Sequence, residues 1–261
     1  MKLAISNIAW DKHDDPEILS LLRENGIKGI EIAPTKVWPE WSNATQASAN
    51  AYRKQLFNEG FEIPALQAIV YGKPKLQLFN FETKQAFIDH FKFVAELSSA
   101  LGAKVLVFGA PKNRLRGQLS TSDAIKYAAE VMHTIGEICC EYDVCIGWEH
   151  NPVEYGCDFI TNAADAKEFV ELINSPGIQL HLDSGGIHMC GGNIENTIQT
   201  MAPFVHYHIS EPMLEPLANG IVDHKTALQT LQKINYTDWI SIEMKPIKKT
   251  LLEQSIQKVT A

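Results

Sequence analysis

Acidic and imidazole side chains stand where four short apolar runs of this sequence stop. The runs are CIGWE with Glu149, HLD with Asp183, VHYHIS with a pair of histidines, and WISIE with Glu243. His206 and His208 are two residues apart, so in a strand both face the same side. Carboxylates gathered in one pocket raise each other's pKa unless a cation neutralises them. The residue types predict one divalent ion with mostly oxygen ligands, Mn or Mg first, with Co or Zn admitted by the imidazole.

Eight cycles of a short apolar strand and a longer amphipathic helix account for most of the chain. Each cycle takes about 33 residues, the size of one βα unit. The predicted strands are Lys2–Ser6, Lys28–Ala33, Glu62–Ala68, Lys104–Gly109, Val144–Glu149, Gln179–Asp183, Val205–Ile209 and Ile240–Met244. The predicted helices include Asp15–Glu24, Thr83–Leu101, Ser122–Tyr142, Ala164–Ile173 and Lys225–Ile234.

This alternation predicts the α/β class and a single-domain (β/α)8 TIM barrel over residues 1–261. Several strands, such as VLVFG, are apolar at most positions, which is typical of a parallel sheet covered by helices. The first strand is not followed by the G-x-G-x-x-G spacing of a dinucleotide-binding fold. In a barrel the carboxyl ends of all strands meet at one rim, so we expect the strand-end acids and histidine to converge there.

The composition limits the function classes. A hydrophobic content of 45% and a charged content of 21% are those of a globular protein with a sizeable core. The net charge of -8 argues against a nucleic-acid partner, which needs concentrated Lys and Arg. The first residues, MKLAISNIAWDKHDD, match neither a signal peptide nor a membrane span, so we expect a cytoplasmic protein without a membrane partner. Five cysteines without paired C-x-x-C spacing fit reduced thiols.

The strand ends and the HISEP context resemble the xylose-isomerase-like (β/α)8 barrels, the superfamily of sugar isomerases and epimerases that also contains endonuclease IV. The resemblance runs over essentially the whole chain. It implies that Glu149, Asp183, His208 and Glu243 hold one divalent metal, and it selects His208 over His206. The motifs are specific for the metal site and unspecific for the substrate.

The sequence departs from its relatives at three places. Gly186 stands where many relatives carry a histidine, and the nearest imidazole is His188. Leu214 stands where the ketose epimerases carry an arginine. Asp223 is followed two residues later by Lys225, where endonuclease IV requires Asp-x-His. These departures favour a single metal ion, argue against a trinuclear DNA-repair site, and weigh against specificity for free ketoses at the third carbon.

The set predicts a metal-dependent isomerase or epimerase that acts on a sugar or sugar phosphate by proton transfer through an enediolate. Glu149 and Glu243 approach the substrate from different strands and would serve as the base and acid pair. The alternative reaction is a metal-dependent dehydratase or lyase on a polyhydroxy carbonyl compound, because loss of a β-hydroxyl can follow the same deprotonation. The alternative class is a non-catalytic sugar-binding barrel.

Residues of the loops that follow the strands are the expected substrate contacts. Basic residues of APKNRLRG and of KPIKK could receive a phosphate or carboxylate, and the tryptophans of the first two loops could form a wall against the ring or join a homodimer. The residues singled out are Lys112, Arg114, His188, Tyr155, Trp10 and Lys245.

Overall fold

Eight parallel strands form the centre of the protein in the computed structural model, which describes residues 1–260. The strands are β1 Lys2–Ser6, β2 Gly29–Glu31, β3 Ala65–Leu66, β4 Val105–Phe108, β5 Cys145–Glu149, β6 Ile178–Asp183, β7 His206–Ser210 and β8 Trp239–Glu243. They are hydrogen-bonded in the order β2-β1-β8-β7-β6-β5-β4-β3. Parallel bridges from Gly29 to Glu62 and from Ile32 to Leu66 bring the two edges of this sheet together. The fold is therefore the predicted single-domain (β/α)8 TIM barrel.

Helices cover the outside of the barrel. They are α1 Asp15–Glu24, α2 Pro34–Val37, α3 Gln46–Asn58, α4 Lys84–Leu101, α5 Thr121–Glu141, α6 Ala163–Ile173, α7 Ser184–Met189, α8 Ile194–Met201, α9 His224–Lys233 and α10 Lys249–Thr260. The predicted bounds of β1 and α1 are confirmed. β3 is shorter than predicted, because Pro64 cannot donate a ladder hydrogen bond and Ala68 has a left-handed φ of 53°.

Two apolar layers stabilise the barrel. The larger one lies between the strands and the helices and includes the rings of Phe91, Phe108 and Trp148, which contact one another edge to face. A small second cluster, Ala65, Val105, Val107 and Cys145, is separate from it. Within residues 1–260, no helix combines the length and the apolar composition needed to cross a membrane.

Candidate active site

Four side chains from neighbouring strands meet at the carboxyl end of the barrel: Glu149 of β5, Asp183 of β6, His208 of β7 and Glu243 of β8, together called the quartet below. One ligand atom of each lies within 4.8 Å of the others. The Nδ1 atom of His208 lies 3.1 Å from Glu243 Oε2, 3.7 Å from Glu149 Oε1 and 4.0 Å from Asp183 Oδ2. The structure thus brings together the four residues that the resemblance implies as metal ligands.

Strand register accounts for this convergence. Asp183 is paired with His208 across β6 and β7, and Glu243 is paired with Ser210 across β7 and β8. Parallel strands hold such partners at a fixed height in the barrel. The quartet therefore occupies positions that backbone hydrogen bonds determine.

The electrostatics of the quartet suit a cation. Burial, followed by the negative charges of Glu149 and Glu243, raises the pKa of Asp183 to about 7. Burial alone would raise the pKa of Glu149, but its contacts with His181 and His208 lower that pKa below the usual range. The Nδ1 atom of His208 is buried and makes no hydrogen bond. Three carboxylates that repel one another and one free imidazole nitrogen form a donor set that fits a divalent ion.

Glu31, at the end of β2, lies beneath the quartet and was not singled out in the sequence. Its carboxylate is fully buried and accepts hydrogen bonds from His208 Nε2 at 3.0 Å and from His206 Nε2 at 3.1 Å. Burial would raise the pKa of Glu31, but the charge of His208 and these hydrogen bonds hold it well below the ordinary value. With Nε2 donating to an ionised carboxylate, Nδ1 of His208 is the nitrogen left to face the quartet.

The two histidines of β7 differ in what they contact. The Nε2 atom of His206 contacts Glu31, and among the groups of possible ligands His206 belongs with Glu31 and not with the quartet. His181 of β6 also lies inside the barrel, with Nε2 3.3 Å from Glu149 Oε1. A layer of imidazoles and carboxylate thus supports the quartet from below.

Asp183 is held from two sides. Its Oδ1 accepts a hydrogen bond of 2.5 Å from the backbone amide of Gly186, and its Oδ2 accepts one from the hydroxyl of Ser210. A Cβ atom on Gly186 would lie 3.1 Å from Asp183 Oδ1 and 3.0 Å from His150 Nε2. A larger residue at position 186 would therefore have to displace the His150 ring.

A cavity of about 440 Å³ opens above the quartet. Glu149, Asp183 and Glu243 lie at its base, and residues 68–71 of the β3 loop and residues 213–214 of the β7 loop, together called the cavity wall below, also line it. Its volume is within the range of small-molecule sites, roughly 300–1,000 Å³. Lys112 and Tyr155, both expected as substrate contacts, also line it.

The structure does not bring the other four expected contacts to the cavity. Arg114 is fully buried, with its guanidinium carbon 4.8 Å from the centre of the Trp148 ring, because the chain turns inward after the left-handed Ala110. Trp10 is also buried, and its indole nitrogen donates to Asp15 at 2.8 Å.

His188 and Lys245 are not among the residues that line the cavity. α7 begins immediately after Asp183, and its helical turn leaves His188 exposed. The ammonium of Lys245 lies 2.7 Å from Glu215, on the outer side of the rim. The lining residues that were not predicted as contacts include Gln67, Ile69, His150, Asn151 and Met213. His150 and Asn151 directly follow Glu149, and this adjacency was the only signal in the sequence.

The fold and the quartet together define a class of protein, the (β/α)8 barrels with acidic and imidazole side chains converging at the carboxyl rim. Residues 19–259 match the family described as xylose isomerase-like TIM barrel, so the chain belongs to that family.

Some known proteins of similar sequence or structure are sugar-converting enzymes by name. Inosose isomerase of Bacillus subtilis (strain 168) is 25% identical over 169 residues, which are 60% of this chain and 59% of that protein. The chain thus matches less than two thirds of that relative's length. The 3-keto-D-glucoside 4-epimerase YcjR from E. coli has a TM-score of 0.79 at 14% identity, covering 99% of this chain and 98% of that one. The IOLI protein, solved with a zinc atom, has a TM-score of 0.74 at 21% identity, covering 99% and 95%.

Proposed function

We propose that the protein is a divalent-metal-dependent isomerase or epimerase that acts on a sugar or sugar phosphate. The quartet carries this proposal, because four ligand atoms within 4.8 Å of one another lie at the base of a cavity large enough for a small molecule. The names of the similar proteins support the same class of reaction. The ion would be held by Glu149, Asp183, His208 and Glu243, with Mn or Mg favoured over Co or Zn.

The bound ion would supply Lewis acidity to the carbonyl and an adjacent hydroxyl of the substrate. Glu149 and Glu243 reach the cavity from β5 and from β8, so they can approach a substrate carbon from different directions. One of the two, as the carboxylate, would remove the proton next to the carbonyl, and the other, as the carboxylic acid, would deliver a proton to the resulting enediolate. Return of the proton to the opposite face gives an epimer, and return to the next carbon gives an isomer.

Hydrogen bonds from neighbouring residues hold two members of the quartet in place. Glu31 fixes the imidazole of His208, and Gly186 with Ser210 fixes the carboxylate of Asp183. Side chains locked by such contacts do not have to reorganise during the reaction. Asp183 and His208 therefore serve as ligands whose orientation is set before substrate binds.

Metal analysis and solvent exchange test the proposal together. Purified protein should contain one divalent ion per chain, and in deuterated water it should exchange the C–H next to the carbonyl of an accepted sugar while the carbon skeleton is retained. Glu149→Gln should abolish this exchange. A protein without a stoichiometric ion, in which Glu149→Gln and Asp183→Asn change nothing, would disprove the proposal.

The same assay separates the rival functions. Loss of water from the substrate identifies a dehydratase or lyase, and sugar binding without exchange identifies a non-catalytic binding barrel. Cleavage of a duplex that contains an abasic site would identify nucleic-acid processing.

A further inference from the structure

The charges around the cavity discriminate between neutral and phosphorylated substrates. Within residues 1–260, the charged side chains on the lining are the carboxylates of Glu149, Asp183 and Glu243 and the single ammonium of Lys112. Lys112 is thus the one lysine or arginine side chain on a described lining that carries three carboxyl groups. A phosphate group brought into this cavity would carry a charge of about -2 without a matching cation. Burying an unpaired charge of that size is strongly unfavourable.

The other basic side chains near the rim do not line the cavity. Arg114 is buried against Trp148, and Arg116 donates to two backbone carbonyls, those of Asp158 and Leu119. Lys245 pairs with Glu215 at 2.7 Å and Lys249 pairs with Glu17 at 2.6 Å. Among the described residues, the loops that could have supplied a phosphate clamp therefore place only Lys112 on the lining.

Several backbone amides at the same rim are also engaged. Barrel enzymes often bind phosphate on amides of the loops after the seventh and eighth strands and at the start of a short extra helix. Here the amides at the start of α7 donate to the chain's own side chains, Gly185 to Ser210 and Gly186 to Asp183. The amides after β7 and β8 donate likewise, and their acceptors are Tyr155 Oη for Met213, Leu214 O for Lys245, and Ala9 O for Ile247.

The cavity wall supplies the opposite kind of contact. Its residues on the lining are Ile69, Val70, Tyr71, Met213 and Leu214, which are apolar or aromatic. Such a surface suits the C–H face of a sugar or cyclitol ring, whose hydroxyls then point to Asn151, His150 and Lys112.

We infer that the substrate is an uncharged polyhydroxy carbonyl compound and not a phosphate ester, because the lining carries three carboxyl groups beside one ammonium group and the residues of the cavity wall are apolar or aromatic. This inference rests on the proposed function and narrows its substrate class. It assigns the cavity wall to the ring of the substrate and leaves no subsite for phosphate.

Binding of D-glucitol and D-glucitol 6-phosphate tests the inference without turnover, because neither polyol has a carbonyl group. Calorimetric titration of the Mn²⁺-loaded protein should show D-glucitol binding at least about tenfold more tightly than its phosphate ester. Equal or tighter binding of the ester overturns the inference, and so does the absence of binding by D-glucitol. Inorganic phosphate measures direct coordination to the ion and should not compete with D-glucitol.

Lys112 is the critical variant. Lys112→Ala should weaken binding of the ester by less than about tenfold more than binding of D-glucitol, because one ammonium beside three carboxyl groups does not form a phosphate site. A loss at least about tenfold larger for the ester would reveal a phosphate ligand and overturn the inference. Lys248→Ala, an exposed lysine of the same rim that lies off the lining, is the matched control.

Solvent exchange on D-fructose and D-fructose 6-phosphate tests the proposed function and the neutral substrate class separately. Exchange of the ester alone contradicts the neutral substrate class and supports the proposed function. Absence of exchange with a wide panel of neutral and phosphorylated sugars counts against the proposed function, while the glucitol titration still decides which ligand the cavity accepts.

Discussion

The quartet and the cavity wall are held by different kinds of structure. The quartet stands on four neighbouring strands, is almost completely buried, and is fixed by hydrogen bonds to Glu31, Ser210 and a backbone amide. The cavity wall consists of loop residues, of which Ala68, Met213 and Leu214 have left-handed φ angles of 53°, 60° and 56°. Met213 is 50% exposed and Tyr71 is 68% exposed. The rigid part thus carries the chemistry, and the part that can vary faces the rest of the substrate.

The largest effect is expected for a substitution of a metal ligand in the quartet. Asp183→Asn removes one charged ligand while keeping the size of the side chain, so the protein should lose its stoichiometric ion and on the order of 10³-fold in exchange rate. Elemental analysis and solvent exchange measure the two losses. Asp89→Asn, an exposed aspartate of α4, is the matched control and should retain both. Full activity of Asp183→Asn would place the chemistry outside the quartet.

The second prediction concerns the layer beneath the quartet. Glu31→Gln removes the negative charge and leaves one acceptor oxygen, so the closer contact of His208 with Oε1 and the contacts of both histidines with Oε2 cannot all be kept. The affinity for the metal ion should fall by about 10- to 100-fold, as measured by competition with a chelating dye.

A second buried carboxylate provides the control for Glu31. Glu211 accepts a hydrogen bond from His224 at 2.7 Å, away from the quartet. Glu211→Gln and Glu31→Gln should each lower the free energy of unfolding by about 1–3 kcal/mol. Only Glu31→Gln should weaken metal binding. Equal metal affinities in both variants and in the wild type would show that Glu31 contributes to stability and not to metal binding.

The strand-end residues could be predicted from the sequence because one rule covers them. Apolar runs mark the strands, and a barrel brings the ends of its strands to one rim, so Glu149, Asp183 and Glu243 follow from local patterns alone. The partnership of Glu31 with His208 joins residues 177 positions apart. Glu31 sits within the apolar run IKGIEIA, and only the closed barrel shows that its side chain points inward, beneath β7.

Loop residues escaped prediction for a different reason. Arg114 and His188 have the residue types of substrate contacts, but the direction of a side chain on a loop depends on backbone angles that residue type does not encode. A left-handed Ala110 turns Arg114 into the core, and an immediate helical turn leaves His188 exposed. The cavity wall, which is apolar and carries no recognisable motif, could not be distinguished from ordinary core residues.

The third prediction tests how the cavity wall is held. His90 of α4 donates from Nε2 to the carbonyl of Ile69 at 2.7 Å, and burial lowers its pKa from 6.5 to about 4. Below pH 6.5 the unfolded chain therefore binds a proton that the folded chain excludes, so stability is lost as the pH falls from 6.5 toward 4. His90→Gln keeps a donor without a titrating group, and it should reduce this loss by at most about 3 kcal/mol.

Urea unfolding between pH 7.5 and pH 4 measures the effect of His90. The matched control is His133→Gln, because His133 also contacts a backbone carbonyl, that of Ile173 at 3.1 Å, but its side chain is half exposed. The control should keep the pH dependence of the wild type. An unchanged slope in His90→Gln would show that the β3 side of the cavity wall is not the acid-sensitive element.

The smallest effect is expected at the contact between the β5 and β7 loops. The hydroxyl of Tyr155 accepts a hydrogen bond of 3.0 Å from the backbone amide of Met213 and so fixes one end of the cavity wall. Tyr155→Phe should raise KM by about two- to tenfold with little change in kcat, since one neutral hydrogen bond contributes roughly 0.5–1.5 kcal/mol. Tyr142→Phe, at the end of α5, is the control and should change neither constant. A large fall in kcat at constant KM would instead make Tyr155 part of the proton-transfer machinery. The catalytic residues would then include one from the β5 loop as well as those of the quartet.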